Sequence, residues 1–224
     1  PDGNRGQLAN SIAAHEVYYA SWGETWERSA LLRARFVAGS PRVAEEFSRA
    51  IAPIVYRKTL DFGTIEDMRQ MKRRIDAEAQ RRRGTGWDVK LGRGGIREIE
   101  FIAQSLQLVH AGRNPSLRER NTLALLERLK EARLLDEKEV EDLSAAYRFF
   151  RSLEHRIQMA EDRQTHLLPA REGDLERLAR SMGFMDEERE PALRERRFKK
   201  RQRCGNVYRR QRLVSAASAI SHAF

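Results

Sequence analysis

Three glycines fall within four positions of the stretch Lys90-Leu91-Gly92-Arg93-Gly94-Gly95-Ile96-Arg97. Glycine at that density disfavours helix and strand. It favours a loop whose backbone N–H groups can come close to a ligand. Directly afterwards Ile96, Ile99, Ile102, Leu106 and Val109 recur at helical spacing, so the loop predicts a helix start. The first N–H groups of a helix lack internal partners, and the helix dipole adds partial positive charge there. With three cations around the same point, the stretch could hold phosphate or a nucleotide through Lys90, Gly92, Arg93, Gly94, Gly95 and Arg97. The pattern is neither a Walker A loop nor GxGxxG. A tight turn made for its own sake explains the same glycines, and local physics leaves both readings standing.

Two carboxylates follow. On a helix Glu98 and Glu100 point roughly 200° apart, so they cannot act as a close pair. Each could support the polar site by accepting from a basic neighbour, assist a metal, or sit in the first turn because acids suit the dipole. The five histidines, at 15, 110, 155, 166 and 222, are scattered, and no Cys/His grouping has zinc spacing. His155 reads as a packing histidine. No catalytic residue and no metal ligand is assigned within this chain.

The elements that must position the loop are mostly helical. Trp87 to Leu91 is the best strand candidate, and it feeds the loop and a helix over 96–110. Upstream, Ser11 predicts a cap for a helix through Tyr19, and Thr25 a cap for Trp26 to Ala38. In that second helix Arg28 reads as solvated, while Arg33 and Arg35 could face a phosphate-bearing cleft. Ser40-Pro41 opens a helix to about Ala52, which Pro53 ends or kinks. Thr64 with Asp67 resembles a capping box for a helix from Ile65 to about Arg83. Downstream, Asn121 caps a leucine-rich helix, and Asp136 with Glu139 opens a long one to about Arg163. Its buried face carries Val140, Leu143, Tyr147, Phe150, Leu153 (or Glu154) and Ile157. Gln164-Thr165-His166-Leu167-Leu168-Pro169 reads as an extended loop. Asp174 caps a short helix to Gly183, and a last helix starts near Glu188.

Composition bounds the class. A chain of 224 residues can bury one large core or two small ones. It holds no long apolar run and no signal peptide, so no membrane partner is expected. One cysteine, Cys204, fits a reducing cytoplasm. The formal charge of +10 is local: between Arg194 and Arg212 ten basic residues stand against Glu195 alone, and the rest is near balance. That pattern describes a basic end rather than a nucleic-acid-binding fold. The expectation is poor order after about Gly205.

Several blocks line up with one family. They are Tyr18-Tyr19, Thr25-Trp26-Glu27-Arg28, Ala34-Arg35, Tyr56-Arg57-Lys58 with Asp61-Phe62, and the glycine block from Lys90 to Gln104. Ala146 to Phe150, Leu153 to Gln158 and Gln164 to Pro169 complete the set. From Pro1 to about Phe184 the chain resembles the bacterial glutamine synthetase adenylyltransferase/adenylyl-removing enzymes. The Arg-Glu-Ile-Glu-Phe version of the glycine block resembles their N-terminal, adenylyl-removing half.

The resemblance implies a mainly α chain: the C-terminal remainder of an α+β nucleotidyltransferase domain over 1–112, then a helical bundle over 113–193. The atypical basic tail, 194–224, departs from it. The resemblance also implies Mg2+, with ATP, ADP and phosphate as substrates, and glutamine synthetase and a PII signalling protein as partners. The family's metal-binding aspartates fall upstream of Pro1 in this comparison. The segment alone is therefore expected to be inactive, because nucleotidyl transfer needs those carboxylates to hold the ions. A helical interaction module without chemistry, docking on glutamine synthetase or its regulator, is the alternative.

Overall fold

The computed structural model describes residues 9–59, 62–81 and 87–184, and then 191, 193–196, 198–200, 202 and 203. The protein is mainly α. Its helices are α1 (Ile12–Ser21), α2 (Thr25–Leu31), α3 (Pro41–Val55), α4 (Phe62–Arg81), α5 (Ile96–His110), α6 (Thr122–Glu131), α7 (Glu137–Glu161) and α8 (Glu172–Ser181). Helical residues recur between Pro191 and Arg203. The expected disorder after Gly205 lies outside the described residues. The chain divides into two compact units, Pro1–Arg69 with Gln104–Asn121, and Gln70–Ala103 with Thr122–Phe224.

In the first unit Ser11 caps α1 as expected, its side chain accepting from the Ala14 N–H. Helix α2 corrects two expectations. Its cap is Glu24, in a reciprocal box with Glu27, not Thr25. It also ends at Leu31 rather than Ala38. Arg33 and Ala34 donate to the carbonyls three residues back, which tightens the last turn and closes the helix. Leu32 is drawn inward and packs with Val55 and Leu108, against Leu31 and Tyr56.

Arg28 is buried rather than solvated. It donates to Thr25 Oγ1 at 2.9 Å, and Thr25 in turn donates to Asp67 at 2.8 Å. Asp67 is therefore used across the unit, and α4 begins at Phe62, before the expected cap at Thr64. Arg33 is half-buried and Arg35 exposed. Helix α3 runs through Pro53 to Val55, since losing one N–H near a C-terminus is tolerated where Ile51 and Val55 gain burial.

His110 ends α5 in this unit, and its imidazole titrates below the ordinary 6.5. Burial is the larger cause and Arg113 the second. A helix C-terminus favours a cation, so these two outweigh the dipole. A depressed folded pKa gives stability that is present above 6.5 and lost as pH falls through the folded value. Urea melts of the chain at pH 7 and pH 5 should therefore lose less stability in His110→Asn than in the parent. The difference cannot exceed about 1.4 kcal/mol per pH unit.

In the second unit the Asp136–Glu139 box opens α7 as expected. The helix stops where Asp162 turns left-handed, at φ 48°. Leu143, Phe150, Leu153 and Ile157 of α7 are fully buried, as are Leu125, Leu126 and Leu129 of α6 and Ile96 and Ile99 of α5. Tyr147 is only half-buried, and its hydroxyl is engaged as described below. Helix α8 has Arg171 at its cap, and Asp174 sits in its first turn bonded to Arg177. The expected strand over Trp87 to Leu91 is reduced to one antiparallel bridge, Asp88 with Leu167. Beyond that short pairing the segment turns at once into the glycine block.

Candidate functional site: a closed glycine turn and two buried carboxylates

The turn lies in the second unit and is built from its own backbone. Asp88 is buried, and its Oδ1 accepts from the N–H groups of Lys90 at 2.9 Å and Leu91 at 2.7 Å. Gly92 donates to the Asp88 carbonyl, Gly95 to Gly92, Ile96 to Val89 and Arg97 to Lys90, all within 3.2 Å. Gly94 donates to Glu98 Oε2. The reading of bare amides awaiting phosphate is thereby corrected: these N–H groups are consumed within the turn.

The glycines are required by close approach of chain to chain. A Cβ on Gly92 would lie 2.3 Å from the Asp88 carbonyl oxygen, and one on Gly95 2.5 Å from that of Val89. Gly94 sits at φ 73°, a left-handed conformation that favours glycine. What the turn leaves open is side-chain charge. Arg93 and Arg97 are exposed and have no side-chain partner among the described residues, while Lys90 is half-buried.

The two acids separate as the helical angle requires. Glu98 is buried and accepts from Lys72 Nζ at 2.5 Å as well as from Gly94. Lys72 is also buried and bonds Asp76. Burial pushes the Lys72 ammonium down, but Glu98 and Asp76 together more than offset it, and its pKa is raised above 10.5. Glu100 instead accepts from the Tyr147 hydroxyl at 3.1 Å, which receives Thr122 Oγ1–H at 3.4 Å. Burial first, and Glu100 second among the raising causes, holds the Tyr147 phenol above its ordinary value.

A third carboxylate ties two motifs together. Glu154 of α7 is 2% exposed. Its Oε2 accepts from Arg151 Nη1 at 2.7 Å, and its Oε1 lies 3.1 Å from His166 Nδ1 and 3.8 Å from Lys90 Nζ. Backbone pairing delivers His166 there. Val89 donates to the His166 carbonyl at 2.8 Å, and Leu168 to that of Trp87 at 3.0 Å. So the Gln164–Pro169 loop lies along the segment that enters the glycine turn. His155, expected as a packing histidine, is exposed, and its neighbour Glu154 takes the inward position.

The family profile described as GlnD PII-uridylyltransferase matches residues 69–211. A second, described as Glutamate-ammonia ligase adenylyltransferase, matches residues 1–50. Curated relatives agree over most of the chain. The bifunctional glutamine synthetase adenylyltransferase/adenylyl-removing enzyme of Hahella chejuensis is 47% identical over 184 residues, covering 82% of this chain and 19% of the relative. That of Rhizobium meliloti is 45% identical over 188 residues, covering 83% and 19%. That of Pseudomonas aeruginosa is 46% identical over 184 residues, covering 82% and 19%. The chain belongs to this adenylyltransferase/adenylyl-removing family. Its residues 69–211 belong to the domain family of the GlnD PII-uridylyltransferase description.

The chain spans about one fifth of the length of these relatives, 19%. Among the described residues, no group of three or more His, Cys, Asp or Glu is placed to hold a metal ion. Among the described residues, none is assigned as a ligand for the magnesium that the resemblance implies. No helix among the described residues is long and apolar enough to cross a membrane.

Sequence reasoning missed Asp88, Lys72 and the Glu154–His166 pair. Asp88 carried a signal, since an Asp two and three residues ahead of turn amides is an Asx turn. Arg151 and Glu154 stand at i, i+3, also legible. Lys72 with Glu98 spans 26 residues and left none.

Proposed function

We propose that this chain is the part of a glutamine synthetase adenylyltransferase/adenylyl-removing enzyme that presents fixed cations to a phosphate-bearing substrate. Lys90, Arg93 and Arg97 make the phosphate or nucleotide contact. Gly92, Gly94 and Gly95 shape the turn that holds them, rather than donating N–H groups. Glu98 locks that turn, and Glu100 anchors the helix behind it.

The observation that carries this reading is the pair of exposed guanidiniums at Arg93 and Arg97, without a side-chain partner among the described residues, on a backbone whose turn amides are already satisfied. Guanidinium forks suit phosphate oxygens. The whole enzyme transfers AMP from ATP to a tyrosine of glutamine synthetase and removes it by phosphorolysis. In removal, a phosphate oxygen attacks the AMP phosphorus and the bond to the tyrosine oxygen breaks. ADP leaves, and the phenol regains its proton. The Arg-Glu-Ile-Glu-Phe block supports assignment to the N-terminal, removing half. Mg2+ would be held by aspartates outside this chain, in a cytoplasmic enzyme answering to PII. The division at 1–112, 113–193 and 194–224 is proposed on the same resemblance.

Arg97→Ala in the intact enzyme is expected to slow AMP removal about tenfold or more, as loss of a charge-assisted contact does. The melting temperature should not change. The 224-residue chain alone should release no AMP from adenylylated glutamine synthetase. Normal kinetics in Arg97→Ala, or release by the chain alone, overturns the reading. The consumed amides favour a second reading, a helical module that docks on glutamine synthetase or a PII-type regulator. Capture of glutamine synthetase by the chain, with normal kinetics in Arg97→Ala, is its signature.

A further inference from the structure

Two stretches singled out in the sequence, Leu153–Gln158 and Gln164–Pro169, meet at the imidazole of His166, which the phosphate contacts leave unused. Its Nδ1 lies 3.1 Å from Glu154 Oε1. Gln158 Nε2 stands farther from the same nitrogen, at 3.5 Å. A carboxylate that already accepts from Arg151 can only accept again, so Nδ1 carries the proton. The neutral ring then presents a lone pair at Nε2, and the protonated ring presents a donor there. Glu154 has a side chain only 3% exposed, whereas the imidazole is 18% exposed. The accessible part of the ring is therefore the edge turned away from Glu154, which carries Nε2.

Backbone bonds hold the ring in place. Val89 donates to the His166 carbonyl at 2.8 Å, and the Leu167 N–H donates to Thr165 Oγ1 at 3.4 Å. A carboxylate that fixes one ring nitrogen and leaves the other accessible is the arrangement by which histidine moves protons. The same Glu154 oxygen also draws Lys90 Nζ to 3.8 Å. Imidazole and ammonium thus stand beside one oxygen at the entry to the glycine turn, all within the second unit.

We propose that His166 is the general acid of AMP removal, with Glu154 as its positioning residue. This rests on the reading that the turn meets the substrate phosphate through Lys90. A phosphate oxygen bonds to the AMP phosphorus as the bond to the tyrosine oxygen breaks, and the bond pair stays on that oxygen. The proton on His166 Nε2 passes to it and completes the phenol. The imidazole is left neutral, with its Nδ1–H still on Glu154, and regains a proton from water. Without that proton the leaving group would be a phenolate, expelled beside phosphate charge.

The test is AMP removal from adenylylated glutamine synthetase by the intact enzyme, followed across the range in which histidine titrates. The charged groups gathered with the ring, among the described residues, are Glu154 and Arg151 of α7 and Lys90 of the turn. Of these side-chain types histidine alone ordinarily titrates near neutrality. In the parent, kcat should fall as pH rises, because the acid must hold its proton. Asparagine places an N–H where Nδ1 stands and nothing at Nε2, so His166→Asn keeps the Glu154 bond and loses the acid. Its kcat should drop about a hundredfold or more, with KM for phosphate little changed and the fall with rising pH gone. Amide exchange at Val89 and Leu168 should stay at the parent's rate, a combination that a purely structural histidine does not give. Normal kcat in His166→Asn overturns the proposal. So does a slow variant in which those two amides exchange faster, or a parent whose kcat does not fall as pH rises. A slow Arg97→Ala beside a normal His166→Asn rejects the acid alone. A normal Arg97→Ala beside a slow His166→Asn keeps the acid and rejects the guanidinium contact.

Discussion

Lys72→Met is expected to lower the stability of the chain by about 3–5 kcal/mol, the usual result of stripping one partner from a buried ion pair. In a protein of this length that is a fall in Tm of roughly 10 °C. The reason is the burial of both partners. Lys72 is 4% exposed and Glu98 6% exposed, so neither charge can find water when the other is removed. In Lys72→Met the Glu98 carboxylate keeps, among the described residues, the Gly94 N–H. Asp76, which also bonds Lys72, is more exposed and suffers little.

Glu98→Gln alone should also destabilise, since it leaves the ammonium with Asp76. The double variant should recover much of the loss, because it leaves neither charge buried and the carboxamide oxygen can still accept from Gly94. A double-mutant cycle in urea at pH 7 measures this. The Lys72 pKa is raised above 10.5, so the stability that its ammonium carries is fully present at pH 7 and is lost as pH rises through the folded value. Additive single effects, with no coupling at pH 7, would show that the pair is not what holds the turn.

How much of this was readable beforehand depends on the distance over which each feature acts. The Ser11 cap and the Asp136–Glu139 box were legible because donor and acceptor lie within one turn of chain. The faces of α5 and α7 were legible from their helical period. The end of α2 was not. Its cause is the burial of Leu32 beside Val55 and Leu108, contacts far apart in sequence.

The glycine block shows the limit most clearly. Its composition announced close approach of a backbone to something. Sequence could not say whether that something was a ligand or the protein itself. The Asp88 and Val89 carbonyls under Gly92 and Gly95 answer that it is the protein. Likewise Glu154 and His155 were adjacent candidates for the same inward position. The rotation of α7 gave it to Glu154, where three basic side chains from separate stretches of chain gather.

Glu154→Ala tests whether that gathering connects the glycine turn to the Gln164–Pro169 loop. A drop of about 2 kcal/mol is expected, less than for Lys72, because Arg151 and Lys90 are each about a third exposed and can be rehydrated. The more telling effect is local. With Glu154 gone, His166 loses the carboxylate 3.1 Å from its Nδ1, and Lys90 loses its only anion among the described residues. The two backbone bonds that join their segments, Val89 to His166 and Leu168 to Trp87, are then held by packing alone. Amide exchange at Val89 and Leu168 should quicken about tenfold or more, the local equivalent of losing about 1.4 kcal/mol of protection. Leu126 in α6 should keep its protection relative to global unfolding, because it belongs to the core and not to this junction. Equal acceleration at all three sites would mean that Glu154 supports the unit as a whole. Unchanged exchange at Val89 and Leu168 would mean that the bridge is independent of the carboxylate. Only the selective pattern makes Glu154 the device that sets Lys90 in place at the mouth of the turn.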